Sequence, residues 1–408
     1  MRVSPFHRVL AAEFVSNFGS MLSRLAIPWL AALGLHATPL QMGWLLMADV
    51  AAGAAGAVLL GTLVDRWRKR TVMLCTDVAR AALLMLLAGL AHAGQVTFWM
   101  LAVAAAAGGL LTVAFELARS AWMAQRIAAD QLSTGNAQLS IGTSLSETVA
   151  FALGGWLYQG AGAVLALAVD AASYLASALC LRGIDHAPAV RSEPAAQALA
   201  GWRQIAAEAH DGLRTIAHDG SLRALAVTQL LSSVGMGIAG TSYMIFVSRD
   251  LAFGTGTLGL IFATGALGAV AAGALSPALG RRFGSGRAMA IGLALLALGN
   301  GLLPLAEIAG LLAAALLIGQ QVIGDGGHTV HDVHDRTLRQ TLVSADRLAR
   351  VDAGIRTVGH VGIVAGALGG GWFAGTFGAR WALAASAVAY AMAALLAARR
   401  WWWHRPRP

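Results

Sequence analysis

Charge is scarce in this chain. Only 12% of its 408 residues are Asp, Glu, Lys or Arg, about half the fraction usual in soluble domains. A chain so poor in charge is not built to face water over most of its surface. Cysteine is scarcer still: Cys75 and Cys180 both fall in apolar stretches, so no disulfide framework is expected. A cleavable secretory signal is not expected either, because residues 1–8 lead straight into an apolar run too long for one. The sequence also offers no nucleophile–base arrangement, no phosphate-cradling glycine loop and no convincing metal triad. Those absences argue against an enzyme and against a bound cofactor. The net charge of +9 would suit nucleic acid, but the basic residues sit mostly in short loops between apolar runs. Nucleic-acid binding is therefore not expected.

What the chain has is length of apolar run, 57% of its residues being hydrophobic. A bilayer core about 30 Å thick takes about 20 mostly apolar residues as helix. By that rule the expected spans are 9–33, 41–64, 71–91, 97–118, 137–158, 163–181, 222–246, 257–279, 288–303, 308–329, 351–375 and 382–398. Only residues 304–307 separate the ninth from the tenth. If both termini are cytoplasmic, the outer connections hold two of the 29 basic residues, Arg249 and Arg380. Arg24, Arg80 and Arg356 fall within spans, Arg223 at the inner edge of one, and the remainder on the inner side. That is the positive-inside pattern, and an odd number of spans would destroy it. The expected fold class is an all-α membrane protein of twelve transmembrane helices.

An internal repeat divides the twelve. Ala129-Asp130-x-Leu132 recurs as Ala345-Asp346-x-Leu348, 216 residues on. The same offset carries Ala137 to Ala353, Gly154-Gly155-Trp156 to Gly370-Gly371-Trp372, and Tyr174 to Tyr390. An even helix count per repeat makes the two six-helix halves parallel. The expected organisation is a first half at 1–182, a cytoplasmic linker at 183–220, a second half at 221–400 and a cytoplasmic tail at 401–408. In the linker, Leu199, Trp202, Ile205, Ala209, Leu213 and Ile216 fall at helical spacing, with Arg203, Glu208, Asp211 and Arg214 elsewhere around the helix. That pattern reads as an amphipathic helix on the inner surface. Trp401, Trp402 and Trp403 suit an interfacial anchor.

Between the second and third spans lies Gly61-x-x-x-Asp65-Arg66-x-x-Lys69-Arg70. With this motif the chain resembles the major facilitator superfamily over nearly its whole length. Arg68 stands where the pattern usually has glycine. The second copy, Arg281-Arg282-x-Gly284-x-x-Arg287, has Arg281 at the repeat position of Asp65 and so lacks the acid. Ser16-Asn17-x-Gly19-Ser20, Asp77-x-x-Arg80, Ala118-Arg119, Asp170-Ala171-x-Ser173-Tyr174, Leu338-Arg339-Gln340 and Asp346-Arg347-Leu348 resemble the macrolide-efflux and siderophore-exporter branch. The sequence departs from drug/proton antiporters in carrying Ala150-Phe151, not Gly-Pro, before Gly154-Gly155. The resemblance implies a monomeric secondary transporter of the bacterial inner membrane, working by alternating access between parallel halves. It implies proton-coupled export of a small amphipathic organic molecule, a drug or a siderophore-like metabolite. A metabolite importer of the same fold, and a non-transporting membrane sensor or assembly partner, are the alternatives. The resemblance also makes Gly61, Asp65, Arg66, Lys69 and Arg70 an inner gate; the competing reading is that Arg66–Arg70 only enforce topology.

Ionisable groups within spans cost about 2.5–3.5 kcal/mol even on insertion scales, which makes each a functional candidate. Glu13, Asn17, Ser20 and Arg24 form one stripe along the first helix. Asp49 reaches the depth of Arg24 to within about one helical turn, roughly 5 Å, so a buried Arg24–Asp49 pair is expected. Asp77 and Arg80, three residues apart, can satisfy each other. Glu147 lies near mid-membrane on a stripe with Asn136, Ser140 and Thr143 or Ser144, with no basic residue in its own helix. It is the leading candidate for proton or substrate binding; a neutral hydrogen-bonded acid or a partner for Arg24 is the bland alternative. Asp170 reads as a packing residue. In the second half, Arg356 and His360 share a face, with Gln229 and Tyr243 on the seventh helix, and would suit an anionic substrate group; the alternative is that Arg356 snorkels to the inner interface. His328, His331 and His334 alternate with Asp325, Asp332 and Asp335 at the inner end of helix ten. Three-residue steps precess around a helix, so a solvated helix end is expected there in preference to a metal site.

Overall fold

The computed structural model describes residues 5–126, 132–184 and 212–401. The side chains of some helical residues, Asp65, Arg66, Asn136, Ser140 and Asp346 among them, lie outside the described residues. So do the surroundings of Gly61, most of the linker with its amphipathic stretch from Leu199, and the closing Trp402 and Trp403.

All regular structure among the described residues is helical. The helices are α1 Pro5–Trp29, α2 Pro39–Arg66, α3 Lys69–His92 and α4 Phe98–Arg126. The segment Leu132–Leu181 holds two, α5 and α6, joined at Gly162, where φ is 73°. Then come α7 Gly220–Ile245, α8 Thr255–Phe283, α9 Ser285–Leu302, α10 Leu311–Leu342, α11 Ala345–Phe377 and α12 Ala379–Trp401. Among the described residues, 8 helical segments are long and apolar enough to cross a membrane, one of them containing both α5 and α6. The described residues thus form twelve helices, and the chain is a multi-pass membrane protein. The ninth and tenth are separate, parted by a 3-10 turn at Leu303–Leu305 and the residues after it. With 32 residues, α10 is about 48 Å long at 1.5 Å per residue and outruns a bilayer core of about 30 Å.

The repeat is written in the backbone as well as in the residues. α1 ends in a π-helical turn at Leu30–Gly34, and α7 ends in one at Phe246–Asp250. His36 and Ala252 have φ of 50° and 54°, a region side chains other than glycine rarely visit. Gly162 and Gly378 turn the chain into α6 and α12 with φ of 73° and 95°. Each of these pairs is separated by the same 216 residues as the sequence matches. Equivalent backbone is imposed at equivalent places even where the side chains have diverged.

Two compact units emerge. The first comprises Met1–Ala37, Ala48–Ala198 and Gly254–Leu260; the second comprises Thr38–Met47, Leu199–Phe253 and Ile261–Pro408. In the first, one buried cluster takes Val9 and Ala12 from the start of α1, Val64 from the end of α2, and Val72 and Met73 from the start of α3. Phe115 and Trp122 from the end of α4, Leu139 from the start of α5 and Leu181 from the end of α6 complete it. Starts and ends meet at one pole only if consecutive helices alternate in direction. The second unit repeats the arrangement with Leu225, Met289, Leu338, Val351 and Ala397.

Small residues let these helices approach where lipid supplies no hydrophobic drive. α9 lies on α10 through Gly292 and Gly299 against Gly327 and Gly324. A Cβ at Gly292 would stand 2.6 Å from the His331 backbone nitrogen and 2.7 Å from the Gly327 oxygen. Backbone cannot move aside as a flexible side chain can. Gly292→Val is expected to cost about 1–3 kcal/mol and to lower the melting temperature of the detergent-solubilised protein. Gly301→Ala, with nothing within 4 Å of the added carbon, should leave it unchanged.

Candidate membrane-embedded site

The polar stripe of α1 is distributed among three neighbouring helices. Glu13 pairs with Arg119 of α4. Asn17 donates to the Thr143 carbonyl of α5 at 3.2 Å. Ser20 donates to the Ser16 carbonyl at 2.7 Å and meets the Tyr174 hydroxyl of α6 at 2.8 Å. One turn after another, α1 is fastened to α4, α5 and α6. Arg24 alone among the four is exposed.

Arg24 makes no direct ion pair among the described residues, so the expected Arg24–Asp49 contact is not formed. Its charge nevertheless acts on two carboxylates from different helices, Asp49 of α2 and Glu147 of α5. Both acids are half-buried. Asp49 leans on α4, where a Cβ at Gly109 would stand 2.9 Å from its Oδ1. Of the residues sharing the Glu147 stripe, Thr143 bonds the Leu139 carbonyl at 2.9 Å and Ser144 is exposed. The arrangement is one arginine shared, at a distance, by two acids.

Elsewhere in the first unit the charges are locked. Asp77 and Arg80 of α3 meet at 2.5 Å with side chains 0% and 5% exposed. Ser177 of α6 donates to the second Asp77 oxygen at 2.7 Å. The Arg80 guanidinium lies 4.1 Å from the Tyr174 ring centre and 4.8 Å from that of Phe115, a cation between two aromatic faces. Asp170 accepts from Ser173 at 3.2 Å and is packed against α1 at Gly19, where a Cβ would collide with it. These groups bind helices together.

In the basic turn, Lys69 is 3% exposed and donates to the Val64 carbonyl at 2.8 Å. Arg70 donates to the Leu181 carbonyl at 3.1 Å and to that of Arg182. The two cations thus sit at the C-terminal ends of α2 and α6, where unsatisfied carbonyls and the helix dipole favour positive charge. Both are anchored by these bonds.

In the second unit, Arg356 and His360 are exposed on one face of α11. Gln229 of α7 donates to Ser233 at 3.0 Å, and Tyr243 stacks at 5.7 Å on Phe262. The expected solvated end of α10 holds on one face, where His328 is exposed and Asp332 pairs with Arg336 at 2.9 Å at the surface, and is corrected on the other: His331, His334 and Asp335 are buried. His334 bonds the Ser276 carbonyl of α8 at 3.1 Å. Arg339 bridges Asp335 at 2.6 Å and Asp352 of α11 at 2.8 Å. α8 approaches His334 at Gly280 and α9 approaches His331 at Gly292, which the spacing within one helix could not reveal. Among the described residues no group of three His, Cys, Asp or Glu side chains could hold a metal. The residue passed over is Asp325. It lies some 14 residues into α10, about 21 Å from its start and away from either helix end.

A repeated six-helix unit, apolar throughout and carrying a few embedded charges, defines a membrane transporter fold. The chain belongs to the Major Facilitator Superfamily, whose profile matches residues 9–330. A curated relative, the "Uncharacterized MFS-type transporter YfiS" of Bacillus subtilis (strain 168), is 36% identical over 73 residues, and the match spans 18% of either chain. Among solved structures, the nucleoside transporter NupG aligns with TM-score 0.80 at 13% identity, over 99% of this chain and 100% of that one. A bacterial homologue of the iron transporter ferroportin aligns with TM-score 0.72 at 16% identity, over 98% and 99%. A bacterial homologue of the lysosomal transporter Spinster gives 0.71 at 14% identity over the whole of both chains. At these identities the likeness is one of fold.

Proposed function

We propose that this transporter is a proton-coupled exporter of a small amphipathic organic molecule, working by alternating access as a monomer in a bacterial inner membrane. Both termini are cytoplasmic in this reading, and the halves at 1–182 and 221–400 are joined by the linker at 183–220. The observation that carries it is the sharing of Arg24 by Asp49 and Glu147. A carboxylate whose counter-charge is near but not in contact can accept a proton at modest cost, and doing so frees Arg24 for the other acid. Two such arrangements of one charge set are what a coupling ion needs in order to bias a two-state equilibrium. In this reading Glu13 and Asn17 are further candidates for proton or substrate contact in the first unit, and Arg356 and His360, exposed on one face of α11, are the candidates in the second. Gly61, Asp65, Arg66, Lys69 and Arg70 form the inner gate in this reading, the last two by holding the ends of α2 and α6.

The test is transport by the purified protein in liposomes under an imposed pH gradient, with amphipathic drugs and siderophore-like chelators as candidate cargo. The expected result is cargo movement against its own gradient, accompanied by opposite proton flux. Cargo movement indifferent to the pH gradient would overturn the coupling, and movement only toward the cytoplasmic side would overturn export.

A further inference from the structure

The 216-residue offset relates more than the repeated motifs: it relates two acids that occupy one place from opposite helices. Asp49 of α2 corresponds by that offset to Gly265 of α8, and Gly109 of α4 corresponds to Asp325 of α10. In the first unit the Asp49 carboxylate rests against Gly109. In the second, the Asp325 carboxylate rests against Gly265, where a Cβ would collide with its Oδ2. Acid and glycine have changed sides, and the carboxylate is retained at the crossing of the second and fourth helices of each unit. The glycine opposite each acid makes room for it.

Their surroundings differ in one respect. Asp49 has Arg24 within electrostatic reach. The offset carries Arg24 to Gly240 of α7, so the second unit has no arginine at that place. Burial acts on Asp325 with no basic residue among the described ones to offset it. The groups that face it are Tyr243 of α7 and Tyr390 of α12, both within reach of its charge, and Gln321 one turn earlier on α10. The Tyr243 hydroxyl is buried without a hydrogen-bond partner, and its ring pairs with Phe262. His328, one turn later, interacts with Asp332 and Arg336. A partly exposed carboxylate in a span, uncompensated and beside an aromatic pair, is a place for an external positive charge.

We propose that Asp325, with Tyr243 and Gln321 beside it, is a binding site for positive charge in the second unit, filled by an organic ammonium group or by a proton. The site stands where the first unit supplies its own cation, Arg24. This inference rests on the transporter reading above, and a binding measurement tests it independently of transport.

Purified protein in nanodiscs is assayed for equilibrium binding of tetraphenylphosphonium, a permanent organic cation, and for proton uptake in a downward pH jump. Wild-type protein should bind the cation competitively with protons, or take up a proton without binding the cation. Asp325→Asn should lose that signal by tenfold or more. Gly240→Arg, which places an internal cation at the repeat position of Arg24, should lose it too while keeping the wild-type melting temperature. The exposed control Asp332→Asn should retain it. Cation binding lost in both variants assigns an ammonium site, and proton uptake lost alone assigns a proton site. Neither signal in the wild type, or both signals intact in Asp325→Asn or in a folded Gly240→Arg protein, would refute the site. If binding behaves as expected but no cargo moves in liposomes, the transporter reading fails and the site stands.

Discussion

Glu147→Gln protein, reconstituted in liposomes, is expected to lose pH-gradient-driven cargo movement by about tenfold or more, while downhill exchange of cargo at equal pH continues. Glutamine keeps the size and the hydrogen-bonding edge of glutamate but cannot exchange a proton. A coupling ion moves a two-state equilibrium only as far as it binds one state better than the other, and each factor of ten is about 1.4 kcal/mol. Removing the exchangeable proton removes that difference. Half-burial and the distant Arg24 make Glu147 the position where substitution can abolish coupling without collapsing the fold. Parallel transport assays at equal and unequal pH decide the matter. Equal loss in both would assign Glu147 to cargo binding or folding, and no loss in either would remove it from the mechanism.

Arg80→Leu is expected to be the most damaging single change to stability, because it strands Asp77. Removing one partner of a buried ion pair costs about 3–5 kcal/mol, mostly from the uncompensated charge left behind. Asp77 is 0% exposed, so it has no water to turn to, and Ser177 alone cannot neutralise it. The Arg80 stem and guanidinium also fill the space between Tyr174 and Phe115, which leucine would leave partly empty. The melting temperature in detergent and the yield of monodisperse protein are the readouts. Asp77→Asn combined with Arg80→Leu should recover much of the loss, since the double variant buries no orphaned charge. A double variant as unstable as Arg80→Leu would show that the guanidinium packing, not the ion pair, carries the stability.

Some of the candidate site was legible in the residues and some was not. Asp77 and Arg80 lie three apart on one helix, and spacing suffices to bring such neighbours together. Glu13, Asn17 and Ser20 read as one stripe, but which helix each would meet depends on three neighbours arriving from different parts of the chain. The histidines of α10 show the same limit. Nothing in their spacing says that α8 and α9 will cover His331 and His334. Asp325 was hidden for a related reason: beside three histidines and two further aspartates it looked like part of a polar helix end. Its place in the middle of the helix appeared only when α10 was seen to run on to Leu342, nearly five turns past it.

By itself the sequence determined the class, the helix count and the twofold repeat. Each rests on a period or an energy that is local: about 20 apolar residues per span, basic residues in short loops, and one offset of 216 residues. The bilayer enforces these, since a backbone in lipid must satisfy its own hydrogen bonds within each helix. Tertiary structure alone decided which charges are locked in short ion pairs and which, among the described residues, are not. Arg80, Arg119 and Arg339 are consumed by Asp77, Glu13, Asp335 and Asp352, while Arg24 is shared at a distance and Asp325 is uncompensated. The physical reason is that a charge in a span is settled by what packs against it, and packing is a property of helices distant in the chain.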